Sequence, residues 1–120
     1  MYFLMIWDKE LASVGEDGCI DKFEIPLRVA KFFFQLDVER FPVLSSLSFD
    51  GYDMFSGLQV ESLVSELSAA EQVNPLISEV VRSMLSFIHK AKSMNKCVLF
   101  DPFRAARGDR GLGKGGRESG

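Results

Sequence analysis

The chain is poor in the residues from which catalytic and metal sites are usually made. Its 120 residues include one histidine, His89, and two cysteines, Cys19 and Cys97. The cysteines form no Cys-x-x-Cys pair, so neither a disulfide framework nor a zinc site is indicated, and two reduced thiols are expected, as in an intracellular protein. Any Ser-His-Asp or Cys-His site would have to use His89. Long hydrophobic runs are also missing. Met1 to Trp7 is apolar but short, has no basic leader, and runs directly into Asp8, Lys9 and Glu10. It reads as neither a signal peptide nor a spanning helix, which makes a cytoplasmic protein with no membrane contact the expectation.

Basic residues are scarce through most of the chain. Residues 1–103 carry nine Lys/Arg against fifteen Asp/Glu, a net charge of −6, whereas residues 104–120 carry five against two, a net of +3. Contacts to phosphate need clusters of Lys and Arg, so the acidic body argues against nucleic-acid binding and fits a basic partner better. Proline occurs only four times, and each instance falls where an element should start or stop.

Apolar material, by contrast, is plentiful. Hydrophobic residues make up 47 % of the chain and phenylalanine occurs eleven times, enough for a packed interior without metal or disulfide. The length suits one domain over residues 1–103. Six of the ten glycines fall after residue 103, where Leu112 is almost the only large apolar side chain. Residues 104–120 are therefore expected to form a disordered tail, of a composition that an appended or read-through segment would have.

Residues 2–7 are apolar on both alternating sides, the pattern of a strand buried on both faces. Asp17-Gly18 favours a turn, and Leu11 to Val14 is read as a short second strand. Pro26 is suited to the first position of a helix over about 26–38, with Leu27, Ala30, Phe33 and Phe34 on one side; Phe32 to Phe34 equally fits a buried strand. After Pro42, Val43 to Leu47 makes one helical turn, and Ser48 to Gly57 forms a loop around Asp50-Gly51 and Ser56-Gly57. Leu58 to Gln72 is amphipathic, with Val60, Leu63, Val64, Leu67 and Ala70 in one stripe. Asn74-Pro75 opens a second amphipathic helix over about 75–93, whose basic last turn suits the negative end of its dipole. Asn95 can take a left-handed cap conformation, and Cys97 to Phe100 reads as a strand pairing with residues 2–7.

Few sites stand out. Asp50 and Asp53 flank Gly51 and Tyr52 in an acidic aromatic loop. Taking Asp50 as the first position of an EF-hand puts Glu61 at the twelfth, as that loop requires, but Tyr52, Met54 and Leu58 occupy three other ligand positions and Phe55 replaces the essential glycine. Calcium is not indicated, and a glycosidase pair lacks a sugar cleft. The loop reads either as a solvated Asp-Gly turn or as a protein-binding loop, with Tyr52 and Phe55 as anchors beside carboxylates. His89 falls at the boundary between the core and polar faces of its helix, and Cys97 reads as a small core residue. Trp7 and the phenylalanines are read as core before pocket. Arg107-Gly108-Asp109 reads as a chance match to an adhesion tripeptide, and Gly111 to Gly116 lacks the strand, helix and spacing of a phosphate loop. No cofactor or metal is expected.

Arg40-Phe41-Pro42-Val43-Leu44-Ser45-Ser46-Leu47, followed by Asp50-Gly51-Tyr52-Asp53, Phe55 and Gln59, resembles small bacterial proteins similar to the immunity proteins of toxin systems. The resemblance covers residues 40–103 and brings no catalytic residues with it. It implies a stoichiometric inhibitor that binds a toxin domain, and a basic toxin would be drawn to an acidic surface by electrostatic steering. The expected fold is α+β, with the terminal strands paired in a short sheet against about three helices. The expected function is protein binding without enzymatic activity, through Asp50, Tyr52, Asp53, Phe55, Glu61 and Glu66. A structural or adaptor subunit acting as a homo-oligomer, and a small hydrolase or transferase using His89, are the alternatives.

Overall fold

A computed structural model describes residues 1–103; the expected tail, 104–120, lies outside them. The central pair of strands is the one expected. β1 (Phe3–Trp7) and β4 (Cys97–Asp101) run antiparallel with Phe3 opposite Asp101, Met5 opposite Leu99 and Trp7 opposite Cys97. β2 (Cys19–Glu24) joins the free side of β1 and β3 (Asp53–Phe55) the free side of β4, giving a four-stranded antiparallel sheet in the order β2-β1-β4-β3.

Alternation along β1 and β4 divides the sheet into two faces. Leu4, Ile6, Val98 and Phe100 point into the main core, where they meet Val29, Ala30 and Phe33 of α2 (Leu27–Phe34), Leu63, Leu67 and Ala70 of α3 (Leu58–Val73), and Val81, Met84 and Ile88 of α4 (Ser78–Ser93). Phe3, Met5 and Leu99 point the other way into a smaller buried cluster with Trp7 and Cys19 packed against it. No residue of a described helix belongs to that second cluster. The strand expected to be buried on both faces is so, but only one face carries helices.

α3 and α4 form an antiparallel hairpin tied at both ends. Glu61 pairs with Lys92 at 2.6 Å, and at the far end Glu71 accepts from Ser78 Oγ and from Arg82 Nε, the latter at 2.9 Å. The turn between the helices begins as expected at Asn74, whose Oδ1 accepts from the Leu76 N–H at 3.2 Å, but Pro75–Ile77 is a 3-10 turn, so α4 proper starts at Ser78. Asn95, at φ 58°, ends that helix in the left-handed region, and the Lys96 N–H returns to the Ala91 carbonyl at 2.9 Å.

Three expectations are corrected. Leu11 to Val14 is not a strand: Asp8 accepts from the N–H groups of Glu10 and Leu11 and starts a one-turn helix, α1 (Lys9–Ser13). The helix expected to reach residue 38 stops at Phe34, with Gln35 and Leu36 closing 3-10-type bonds to Phe32 and Phe33 and Asp37 capping the turn beyond; the aromatic triplet is helical. Ser48 to Gly57 is not all loop, because Asp53–Phe55 pairs with β4.

Candidate functional site

The segment Phe41 to Leu67 is anchored at both ends. Phe41, Leu44 and Leu47 are buried on one side of the acidic aromatic stretch, and Leu63 and Leu67 on the other. The 3-10 turn Leu44–Ser46 lacks a side-chain cap of its own. Glu66 supplies one from α3: its carboxylate accepts from the Val43 N–H at 3.1 and 3.0 Å and from the Leu44 N–H at 2.9 Å. Two N–H groups that the turn leaves without acceptors are thereby satisfied. Glu66 is half-buried and holds the fold, while Glu61 is exposed but engaged with Lys92.

Between these anchors the short strand β3 sorts its side chains by face. Phe55 turns inward and sets its ring edge-on to Phe100, with centroids 5.8 Å apart. Asp53 points the same way and is half-buried. Burial pushes its carboxyl above the usual carboxylate range, although a bond from the Ser48 backbone N–H works in the opposite direction. Tyr2 lies nearby in an aromatic box, stacked on Phe100 and edge-on to Phe34 and Phe49. Burial, and secondarily the charge of Asp53, drive the Tyr2 phenol far above its ordinary value, and its hydroxyl has no hydrogen-bond partner among the described residues.

This arrangement has a pH signature of definite sign. Because the Asp53 pKa is raised by folding, its contribution to stability is fully present below the unfolded value of about 3.9 and is lost as pH rises through the folded value. Asp53→Asn, which keeps an acceptor for Ser48 and removes the charge, is expected to raise the melting temperature at pH 7. The gain should vanish near pH 3. An equal gain at both pH values would mean that the charge of Asp53 is not what the fold resists. Asp8 behaves oppositely. The Leu11 N–H, then Lys96 at 3.0 Å, and the Glu10 N–H hold its carboxyl below the usual range, so its contribution is lost as pH falls.

The side chains that β3 and its flanks turn away from the helices are the accessible ones. Tyr52 is 61 % exposed and Phe103 57 %, and their rings meet edge-on with centroids 5.2 Å apart. Met54 is 40 % exposed beside Leu99, its partner in register. Tyr52 and Met54, with Trp7, Leu99 and Asp101, line a cleft of about 370 Å³ on the helix-free face. Asp101 is buried, and its Oδ1 accepts from the Phe103 N–H at 2.7 Å, folding Pro102 and Phe103 back beside the cleft.

Of the six residues expected to meet a partner, only Asp50 and Tyr52 are both exposed and without a structural engagement of the kind described for Glu61 and Glu66. Asp53 and Phe55 face the core side of β3. Met54, Leu99 and Asp101 were not anticipated, and Trp7 and Phe103 belong to the aromatics expected as core before pocket. Their signal lay in the strands: with residues 2–7 apolar on both sides and paired with 97–100, the odd positions 3, 5, 7 and 97, 99 had to share a second face.

No family model matches the chain, and searches of curated proteins and of solved structures found no match either. The site must be read on its own chemistry. Among the described residues no group of three or more His, Cys, Asp and Glu side chains is placed to hold a metal ion, and no helix is long and apolar enough to cross a membrane. His89 is exposed on α4, which packs on the helix-covered face, whereas Cys19 and Cys97 lie on the opposite face on either side of Trp7. Two strand spacings of about 4.8 Å put the cysteine Cα atoms well beyond the roughly 7 Å limit for a disulfide.

Proposed function

We propose that this chain is a protein-binding module without enzymatic activity, an immunity-type inhibitor that covers the active surface of a basic toxin domain. The observation that carries the reading is the exposed cluster of Tyr52, Met54 and Phe103 beside the exposed carboxylate of Asp50. Exposed aromatic and methionine side chains at a sheet edge are the residue types that anchor protein interfaces. The net charge of −6 over residues 1–103 would speed encounter with a basic partner. Asp50 and Tyr52 are the contact residues in this reading; Asp53 and Phe55 shape the strand that presents them, and Glu61 and Glu66 act through the scaffold.

The test begins with the gene immediately upstream, where a large secreted protein with a variable C-terminal domain is expected. Titration of that C-terminal domain at low salt should give a one-to-one complex, and Asp50→Lys should slow association by about tenfold. A metabolic operon at that locus, or an association rate indifferent to Asp50→Lys, would remove the support for an electrostatically steered inhibitor. The same exposed cluster also suits self-association, in which the chain acts as a structural or adaptor subunit. Light scattering on the purified protein separates the two readings, because the inhibitor reading expects a monomer.

A further inference from the structure

The sheet has two outer edges, and the chain treats them differently. β2 carries devices that keep an edge strand from pairing further: the charged side chains of Asp21, Lys22 and Glu24, and a register shift opposite Ile6 and Trp7. Two of those charges are also held in place, Asp21 by Lys90 at 2.8 Å and Lys22 with its ammonium 5.2 Å from the centroid of the Phe3 ring. β3 has no bulge, no proline and no lysine. Among the described residues its backbone bonds only to β4, which leaves the N–H and C=O groups along its outer side without partners. What satisfies such a row is another extended backbone.

The side chains of β3 narrow the occupant. Met54 stands on the helix-free face next to the exposed Tyr52, whereas Asp53 and Phe55 stand on the other face. Neither Asp53 nor Asp50, just before the strand, has a lysine or arginine partner among the described residues, although Asp8, Asp21, Glu61 and Glu71 each have one. A second copy of the chain is a poor fit. Antiparallel pairing of two β3 strands about Met54 would make the two Asp53 side chains diagonal neighbours about 7–8 Å apart on one face, where like charges repel. A residue of opposite charge at that position does the reverse.

We infer that β3 takes up an extended segment of the partner protein as a fifth, antiparallel strand, with a lysine or arginine opposite Asp53. The inference rests on the protein-binding reading and specifies how that partner is held. All three pairings already in the sheet are antiparallel. Main-chain bonds supply the affinity and alternate side chains the specificity. In the order of the added segment, a β-branched residue faces Phe55, an apolar residue lies beside Met54 and Tyr52, and the cation follows opposite Asp53. The Asp53 carboxyl, which burial disfavours as an anion, thereby gains the counter-charge that no described residue supplies.

The probe is acetyl-Gly-Val-Ile-Arg-Gly-amide, titrated at low salt into the full-length chain and followed by amide resonances and hydrogen exchange. Saturable shifts at Asp53, Met54 and Phe55 are expected, with slowed exchange of those β3 amides that point away from β4. Replacing the arginine by norleucine should weaken binding at least fivefold against the parent and less than twofold against Asp53→Asn. N-methylation separates strand pairing from side-chain contact, because alternate residues of an added strand turn their N–H groups toward β3 and away from it. Methylating the isoleucine alone, or the valine and arginine together, should cost at least tenfold in one case and less than twofold in the other. An absence of saturable shifts at β3, equal losses from the two methylations, or an arginine preference that survives Asp53→Asn would overturn the inference. So would outward β3 amides already protected in the free chain, since the edge would then be occupied by the chain itself or by a second copy.

The two readings fail separately. If the upstream-encoded domain forms its one-to-one complex and leaves the exchange of the β3 amides unchanged, strand addition is lost and the inhibitor reading stands. If the peptide pairs with β3 but no such domain binds, the reverse holds.

Discussion

Glu66→Ala is expected to lower the unfolding free energy by about 2–4 kcal/mol, because it strips a charged acceptor from two backbone N–H groups at once. The Val43 and Leu44 N–H groups have no alternative acceptor inside their own turn, which starts without a side-chain cap. The loss reaches beyond the turn, since Leu44 is fully buried and the turn leads into the segment that ends at β3. Glu66→Gln retains one acceptor oxygen and should give a smaller loss. Urea denaturation measures both. Affinity for a partner, measured at a temperature where each variant is folded, should be unchanged by Glu66→Gln. A stability equal to the parent's for Glu66→Ala, combined with weakened partner binding, would return Glu66 to the list of surface contacts.

Gly18→Ala should be nearly as damaging, at about 1–3 kcal/mol for a methyl forced into occupied space. A Cβ at this position would lie 2.7 Å from Cε2 of Trp7 and 2.8 Å from the backbone oxygen of Asp8. The indole alone cannot relieve the clash, since the second contact is with backbone, and the Gly18 carbonyl is itself held by the Asp8 N–H at 2.8 Å. Gly18 is not at positive φ, so contact and not backbone conformation is the cause. The displaced indole gives the prediction a second readout: the emission of Trp7 should shift in the folded variant. A folded Gly18→Ala protein with the parent's melting temperature and emission would show that the Trp7 wall of the cleft yields readily.

The parts of the fold legible in the sequence are those whose side chains repeat a period for long enough. β1 is an unbroken apolar run and β4 is one from Cys97 to Phe100, and α3 and α4 each carry a stripe over four turns. β2 was illegible because it is an edge strand: Cys19, Asp21, Lys22 and Glu24 surround a single inward aromatic, Phe23, and the register slips by one residue around Ile20, which breaks the alternation. β3 has three residues, fewer than any periodicity needs, and the Asp-Gly turn ahead of it reads as loop. α1 depends on one capping carboxylate, Asp8, that composition does not distinguish from a solvated charge. At the candidate site, Tyr52 could be picked out as an aromatic beside carboxylates. Trp7, Leu99 and Asp101 could not, because they converge with it only once the β1–β4 and β3–β4 registers are known.

β4 bonds to both β1 and β3, and β3 has no other strand partner. The sheet is thus closed by the last element of the described chain, pairing residues such as Phe3 and Asp101 that lie nearly the whole described chain apart. The β1–β2 pair and the α3–α4 hairpin are local and can assemble as their residues are made, at about 5–20 residues per second. Phe3, Met5 and the neighbouring faces of β1 remain without their central partner until Cys97 to Asp101 have followed. During synthesis, β1 is therefore the described element that waits longest for its partner, and the completed cleft comes into being only with the strand that ends that wait.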